Sequence, residues 1–113
     1  MAAVYVSNIV INQGADFSQV FNLADASNDK FDLTGFTLSA QMRKHAGSSI
    51  SFDLNPSFVE PRIDGGVRIV LTDEQTSTLK PGRYVYDILI TDPSGIKTRV
   101  VEGSAIVREG VTR

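Results

Sequence analysis

The chain holds a single histidine, His45, with Ser48, Ser49 and Asp53 close behind it, so a serine nucleophile served by a histidine base is the first chemistry to weigh. Such a site needs a base held by a carboxylate and an oxyanion pocket at a strand-to-helix turn. Here all four residues fall within or just after the short polar stretch Lys44 to Ser49, and neither feature accompanies them. His45 reads as an exposed loop residue. With one histidine and no cysteine, the usual zinc donor set cannot be assembled. The lack of cysteine also excludes a disulfide framework and a thiol nucleophile. Asp25, Asn28, Asp29 and Asp32 offer oxygen ligands for calcium, yet the central glycine and closing glutamate of an EF-hand loop are missing. That segment reads as a solvated loop. Gly65-Gly66 is not followed by a phosphate-gripping lysine and a helix, so it reads as a turn. No catalytic residue, cofactor site or metal site is assigned, and the expectation is a protein that catalyses nothing.

The 113 residues have room for one hydrophobic core, and a single domain spanning 1–113 is expected. Hydrophobic residues at 42% and charged residues at 21% are those of an ordinary globular protein. A formal charge of −2 supplies no general attraction to nucleic acid or to an anionic membrane, and neither is expected as a partner. Arg43, Lys44, Arg83, Lys97 and Arg99 are the cations a basic face would need, but Asp87 and Glu102 are interleaved with them, which suggests a mixed polar surface. The start, Met1 to Asn8, lacks the positive charge and apolar run of a secretory signal. No stretch approaches the roughly 20 apolar residues that cross a bilayer. A soluble product, made and assembled in a cytoplasm, is the expectation.

The elements that must position any site read mainly as strands, because apolar residues alternate with period two. Val4 to Ile11 is apolar and β-branched. Phe17, Phe21 and Leu23 share one face of a second strand, with Gln19 interrupting it. Phe36, Leu38, Ala40 and Met42 alternate with Thr37, Ser39, Gln41 and Arg43. Ile50, Phe52 and Leu54 make a short strand, and Pro56 marks an edge or an end. Val67, Ile69 and Leu71 face inward, after which the period changes. Thr72-Asp73-Glu74-Gln75 is a capping-box pattern and predicts a helical turn from Asp73 to Leu79, stopped by Pro81-Gly82. Tyr84, Tyr86, Ile88 and Ile90 then line one face of the strongest strand, while Val85 and Leu89 make its other face partly apolar, as a central strand requires. Asp92-Pro93-Ser94-Gly95 is a tight turn into a partner strand, Ile96 to Val107, in which Gly103 suggests a bulge or bend.

About seven strands with one short helical turn predict an all-β, immunoglobulin-like antiparallel sandwich. In such sandwiches a tyrosine near the start of the sixth strand turns its hydroxyl back onto the preceding corner, and Gly82-x-Tyr84 has that spacing. Gly82 and Tyr84 are therefore the candidate structural corner. Tyr86 stands where antibody domains carry a cysteine.

The blocks Ile11-Asn12-Gln13-Gly14-Ala15-Asp16-Phe17, Leu33-Thr34-Gly35-Phe36 and Gln41-Met42-Arg43-Lys44 resemble small virion proteins of tailed bacteriophages, notably T4-like phages of marine cyanobacteria. So do Gly82-Arg83-Tyr84-Val85-Tyr86-Asp87 and the ending from Arg99-Val100-Val101-Glu102-Gly103 to Val111-Thr112-Arg113. The resemblance runs over nearly the whole chain in the same order, and its motifs are strand and turn residues. It implies a structural or adaptor protein of the particle (capsid, neck, tail or baseplate) that docks on other virion proteins in several copies and resides in the virion. The other reading is a carbohydrate- or receptor-binding module, for which Tyr5, Tyr84 and Tyr86 are the tyrosines able to stack on a sugar. For docking, the first strand and the tail are the expected contacts, through Val4, Val6, Glu109, Val111 and Arg113. The strand offers unpaired backbone at an edge, and the tail is too polar to fold onto its own core.

Overall fold

The computed structural model describes residues 5–25 and 27–112. Two β-sheets face each other across one apolar core, in the immunoglobulin-like arrangement. The first sheet contains β1 (Tyr5–Val6), β2 (Ile9–Asn12), β4 (Thr37–Arg43), β5 (Phe52–Asp53), β8 (Gly82–Thr91) and β9 (Lys97–Arg108). Its order is β1-β9-β8-β4-β5, with β2 also on β9. The second sheet is β3 (Phe17–Asn22), β7 (Gly66–Leu71) and β6 (Ser57–Val59), in the order β3-β7-β6. The chain crosses between sheets after β2, β3, β5 and β7, and the consecutive strands that pair within a sheet are β4 with β5, β6 with β7 and β8 with β9.

Period-two burial creates the core. Ile9 and Ile11 of β2, Ala40 and Met42 of β4, Tyr84, Tyr86, Ile88 and Ile90 of β8, and Val67, Ile69 and Leu71 of β7 are all buried. Each such side chain removed from water contributes about 1.5–3 kcal/mol before conformational entropy is charged against it. Helix is confined to α1 (Asp73–Ser77) and a 3₁₀ turn at Arg62–Asp64. The capping box forms as its pattern predicts: Thr72 Oγ1 accepts from the Gln75 N–H at 3.2 Å, and the Gln75 side chain accepts from the Thr72 N–H at 2.9 Å.

Four details depart from the sequence expectations, each for a physical reason. The N-terminal strands run parallel to β9, so the sandwich is antiparallel except along that edge. The expected single strand from Val4 to Ile11 is interrupted at Ser7-Asn8. Its register is nevertheless continuous, with Val6 opposite Glu102 and Ile9 opposite Ala105. The bulge in β9 is at Val100, not Gly103: Ile88 faces Val101 and Leu89 faces Arg99, which leaves Val100 unopposed. Adjacent Val100 and Val101 can therefore both be fully buried. Pro56 follows the end of β5, an edge strand, as expected, but it also immediately precedes β6, a strand of the opposite sheet that the alternation did not reveal.

Gly103 has a different task. The Ser7 carbonyl dips toward the core at the interruption between β1 and β2, and a Cβ on Gly103 would collide with it. Asn8 repairs the ladder from the side: its Oδ1 accepts from the Ser104 N–H at 3.0 Å. Tyr86, directly opposite Gly103, donates its hydroxyl proton to the Ser7 carbonyl. One glycine, one amide and one phenol thus satisfy a kink in the edge strand.

Candidate functional site

The residues considered for chemistry are spread over loops and tied to backbone. His45 is exposed in the turn after β4, where its carbonyl accepts from the Ser48 N–H at 2.9 Å. Asp53 spends its carboxylate on the Asn55 N–H at 2.7 Å rather than on His45. Asp25 Oδ1 accepts from the N–H groups of Ser27 and Asp29, at 2.9 and 3.0 Å, and so folds its own loop. Asp32 accepts from the Thr34 hydroxyl at 2.6 Å and from its N–H, and those bonds hold its carboxyl below the usual carboxylate range. Among the described residues no group of three or more His, Asp or Glu side chains is placed to share a metal ion.

The three tyrosines are anchors. Tyr84 is buried and donates to the Lys80 carbonyl at 2.7 Å. Gly82, two residues earlier, has φ 145°, a conformation that side chains disfavour. The Tyr86 phenol is pushed above its usual value by burial. Tyr5 is half-buried, and its hydroxyl accepts from the Ala24 N–H at 3.2 Å, joining β1 to the loop after β3.

What remains is the outer face of the first sheet. The even residues of β8, Tyr84, Tyr86, Ile88 and Ile90, point inward, so Arg83, Val85, Asp87 and Leu89 point outward beside Gln41 and Arg43 of β4 and Glu102 of β9. All of these outward residues except Arg83 line, together with Val6, Arg99, His45 and Ala46, a shallow concavity of about 670 Å³. Its apolar members are Val6, 76% exposed, Val85, 39% exposed, and the half-buried Leu89; Asp87 stands between Val85 and Leu89 on β8, and Glu102 of β9 stands between Val6 and Asp87. Val10 and Ile106, paired across β2 and β9, extend the apolar surface along the same face. Its polar groups are balanced in sign. Arg99 reaches Asp87 at 3.3 Å and Glu102 at 3.8 Å, and Arg43 donates to the Ser48 carbonyl at 2.5 Å and to Gln41 at 3.1 Å. These exposed ion pairs add little stability and hold the polar groups in place among the apolar side chains.

Of the contacts expected from the sequence, Val6 lies on this face, while Val4 and Arg113 fall outside the described residues. Glu109 and Val111 are exposed at the other end of β9, seven or more residues beyond Glu102, or about 23 Å along an extended strand. The structure therefore does not bring Val6 and the tail into one patch, although the far end of the first strand, at Asn12, lies beside the tail. The tail is held as far as Gly110, whose N–H donates to Gln13 Oε1 at 3.3 Å, and Val111 beyond it is 95% exposed. The sequence expected Val85 and Leu89 to make the second face of a central strand partly apolar; β8 is central, between β9 and β4, and no described element covers that face.

No protein-family model matches the chain, and no curated protein matches it. Among solved structures, the SrpA adhesin of Streptococcus sanguinis, determined as a mutant, aligns over 96% of this chain and 57% of its own, with a TM-score of 0.50 and 17% identity. An internalin-like protein of Listeria monocytogenes aligns over 95% of this chain and 28% of its own, with a TM-score of 0.44 and 11% identity. The chain thus spans less than two thirds of either protein. At this identity the likeness to the adhesin concerns the fold alone: a two-sheet sandwich of the same general build.

Proposed function

We propose that this chain is a non-enzymatic adaptor domain of a tailed-phage particle, docking on other virion proteins through the outer face of its first sheet. The observation that carries the reading is the set of apolar side chains Val6, Val85 and Leu89, interspersed with Asp87 and Glu102 and flanked by Arg43 and Arg99, on a face no described element covers. Apolar surface interspersed with charges of balanced sign suits a protein partner, for which burial supplies affinity and the charges supply orientation. The resemblance of the strand and turn blocks to small virion proteins supports the particle as the setting, with several copies in each. A sugar-binding role is less well supported, because stacking on a sugar ring needs an exposed aromatic, and none of the nine Phe and Tyr residues is exposed.

Purified particles of the phage that carries the gene should contain the protein at a fixed copy number, and Val85→Lys should lower that number while the isolated domain keeps its melting temperature. Particles that lack the protein, or a gene lying outside any phage genome, overturn the virion setting. Unchanged incorporation of the Val85 variant overturns the docking face. The tail is tested separately by removing 111–113, which leaves the Gly110 to Gln13 hydrogen bond intact. Full incorporation of that truncation removes the tail from the docking contacts.

A further inference from the structure

The second sheet ends on an edge with none of the usual defences. β3 is six residues long, Phe17-Ser18-Gln19-Val20-Phe21-Asn22, without a charge, a proline or a bulge, and no described strand lies on its outer side. Natural sheet edges are shortened, charged, kinked or covered, because their unpaired N–H and C=O groups recruit other strands. The other edges of this protein follow that rule. β5 has two residues and β6 three, β6 is followed by Glu60, Pro61 and Arg62, and the β1–β2 edge is broken at Ser7-Asn8.

Which backbone groups β3 leaves open follows from the ladder. The Leu23 N–H donates to the Gly65 carbonyl at 2.8 Å, continuing the pairing of Asn22 with Gly66. On the far side of β7, the Val70 N–H donates to the Leu54 carbonyl at 3.0 Å, away from β3. In an antiparallel ladder the N–H and C=O of one residue point to the same side, and the side alternates along the strand. Phe17, Gln19 and Phe21 therefore bond to β7, and Ser18, Val20 and Asn22 present both groups outward.

We propose that two copies of this chain pair through β3, antiparallel about a two-fold axis at Val20, joining two three-stranded sheets into one of six. In this register Val20 faces Val20 of the second copy and Ser18 faces Asn22, so all three outward residues of each copy exchange both backbone hydrogen bonds. A second copy fits because the edge is complementary to itself. The paired side chains on the outer face are Val with Val and Ser with Asn, and the 39%-exposed Val20 gains an apolar partner. No like charges meet within the paired strands, since β3 carries none. The nearest acids are engaged at home: Asp16 accepts from the Asp73 N–H at 2.7 Å, and Asp25 from its own loop. The inference concerns the isolated protein and does not depend on the particle or on the docking face.

Sedimentation of the full chain from micromolar to millimolar concentration should show a monomer–dimer equilibrium. Val20→Pro removes an N–H that points away from β7, so the fold should persist with an unchanged far-ultraviolet spectrum while dimerisation weakens at least tenfold. Val20→Lys, which sets two cations face to face at the axis, should do the same. The chain has no cysteine, so Val20→Cys introduces a unique thiol. Facing Cα atoms of a hydrogen-bonded antiparallel pair are about 5.5 Å apart, within disulfide reach, and this variant should cross-link on oxidation far faster than Ser18→Cys. A protein that stays monomeric throughout overturns the proposal. So does a dimer that survives both Val20→Pro and Val20→Lys, or equal cross-linking of the two thiol variants.

Discussion

The Tyr84 hydroxyl donates a 2.7 Å hydrogen bond to the carbonyl of Lys80, four residues earlier in the chain. The bond closes the corner between α1 and β8, and the ring is held against Phe52 at 6.1 Å and under the Lys44 ammonium at 5.0 Å. Tyr84→Phe keeps the ring and loses the bond, so the protein should be less stable by on the order of 1 kcal/mol. Urea unfolding with an unchanged slope measures it; coincident midpoints for parent and variant would show that the corner adds nothing.

Thr76 is a fully buried polar residue in a five-residue helix. Its hydroxyl accepts from the Gly14 N–H at 3.1 Å and lies 2.9 Å from the Ala15 carbonyl, which fastens the turn between β2 and β3 to α1. Thr76→Val preserves shape but leaves the partly buried Gly14 N–H without its acceptor, and should cost about 1–3 kcal/mol. Thr76→Ser, which keeps the hydroxyl, should recover most of that loss.

Gly103→Ala places a methyl group against the Ser7 carbonyl, a backbone atom that cannot swing aside. Overpacking of this kind costs about 1–3 kcal/mol, and here the kink held by Tyr86 and Asn8 must also open. Amide exchange read by NMR should show lost protection at Ser104 and in β2. Wild-type protection there would mean that the edge strand relaxes freely.

Asp92 caps the turn between β8 and β9. One carboxylate oxygen accepts from the Ser94 N–H, the Ser94 hydroxyl and the Ile96 N–H, at 2.9, 2.8 and 2.9 Å. These bonds, the Ile96 N–H first, hold its carboxyl below the usual carboxylate range. A group whose pKa falls on folding stabilises the protein above its unfolded value, and that stability is lost as pH drops through the lower folded value. Asp92→Asn should therefore unfold at lower urea than the parent at pH 7, with the gap closing below about pH 4 as the parent's carboxylate protonates. A gap that stays constant down to pH 2 would assign the difference to geometry instead of charge.

The residues alone determined the class of fold. Period-two alternation in β2, β4, β7 and β8 specified strands with one buried face, because a strand's side chains point alternately to opposite sides whatever it pairs with. Thr72 to Gln75 specified the helix start, because a capping box is satisfied within four residues. Local chemistry is legible locally. Tertiary structure decided what depends on distant partners: that β1 and β2 run parallel to β9, that Gly103 makes room for Ser7, and that the β9 bulge falls at Val100. It also decided the candidate site. Val85 and Leu89 read in sequence as the partly apolar second face of a central strand, and an apolar side chain carries the same signal whether or not another layer covers it. Only the packing of the second sheet on the opposite side of β8 leaves them facing outward with Val6, which lies 79 residues away from Val85 in the chain.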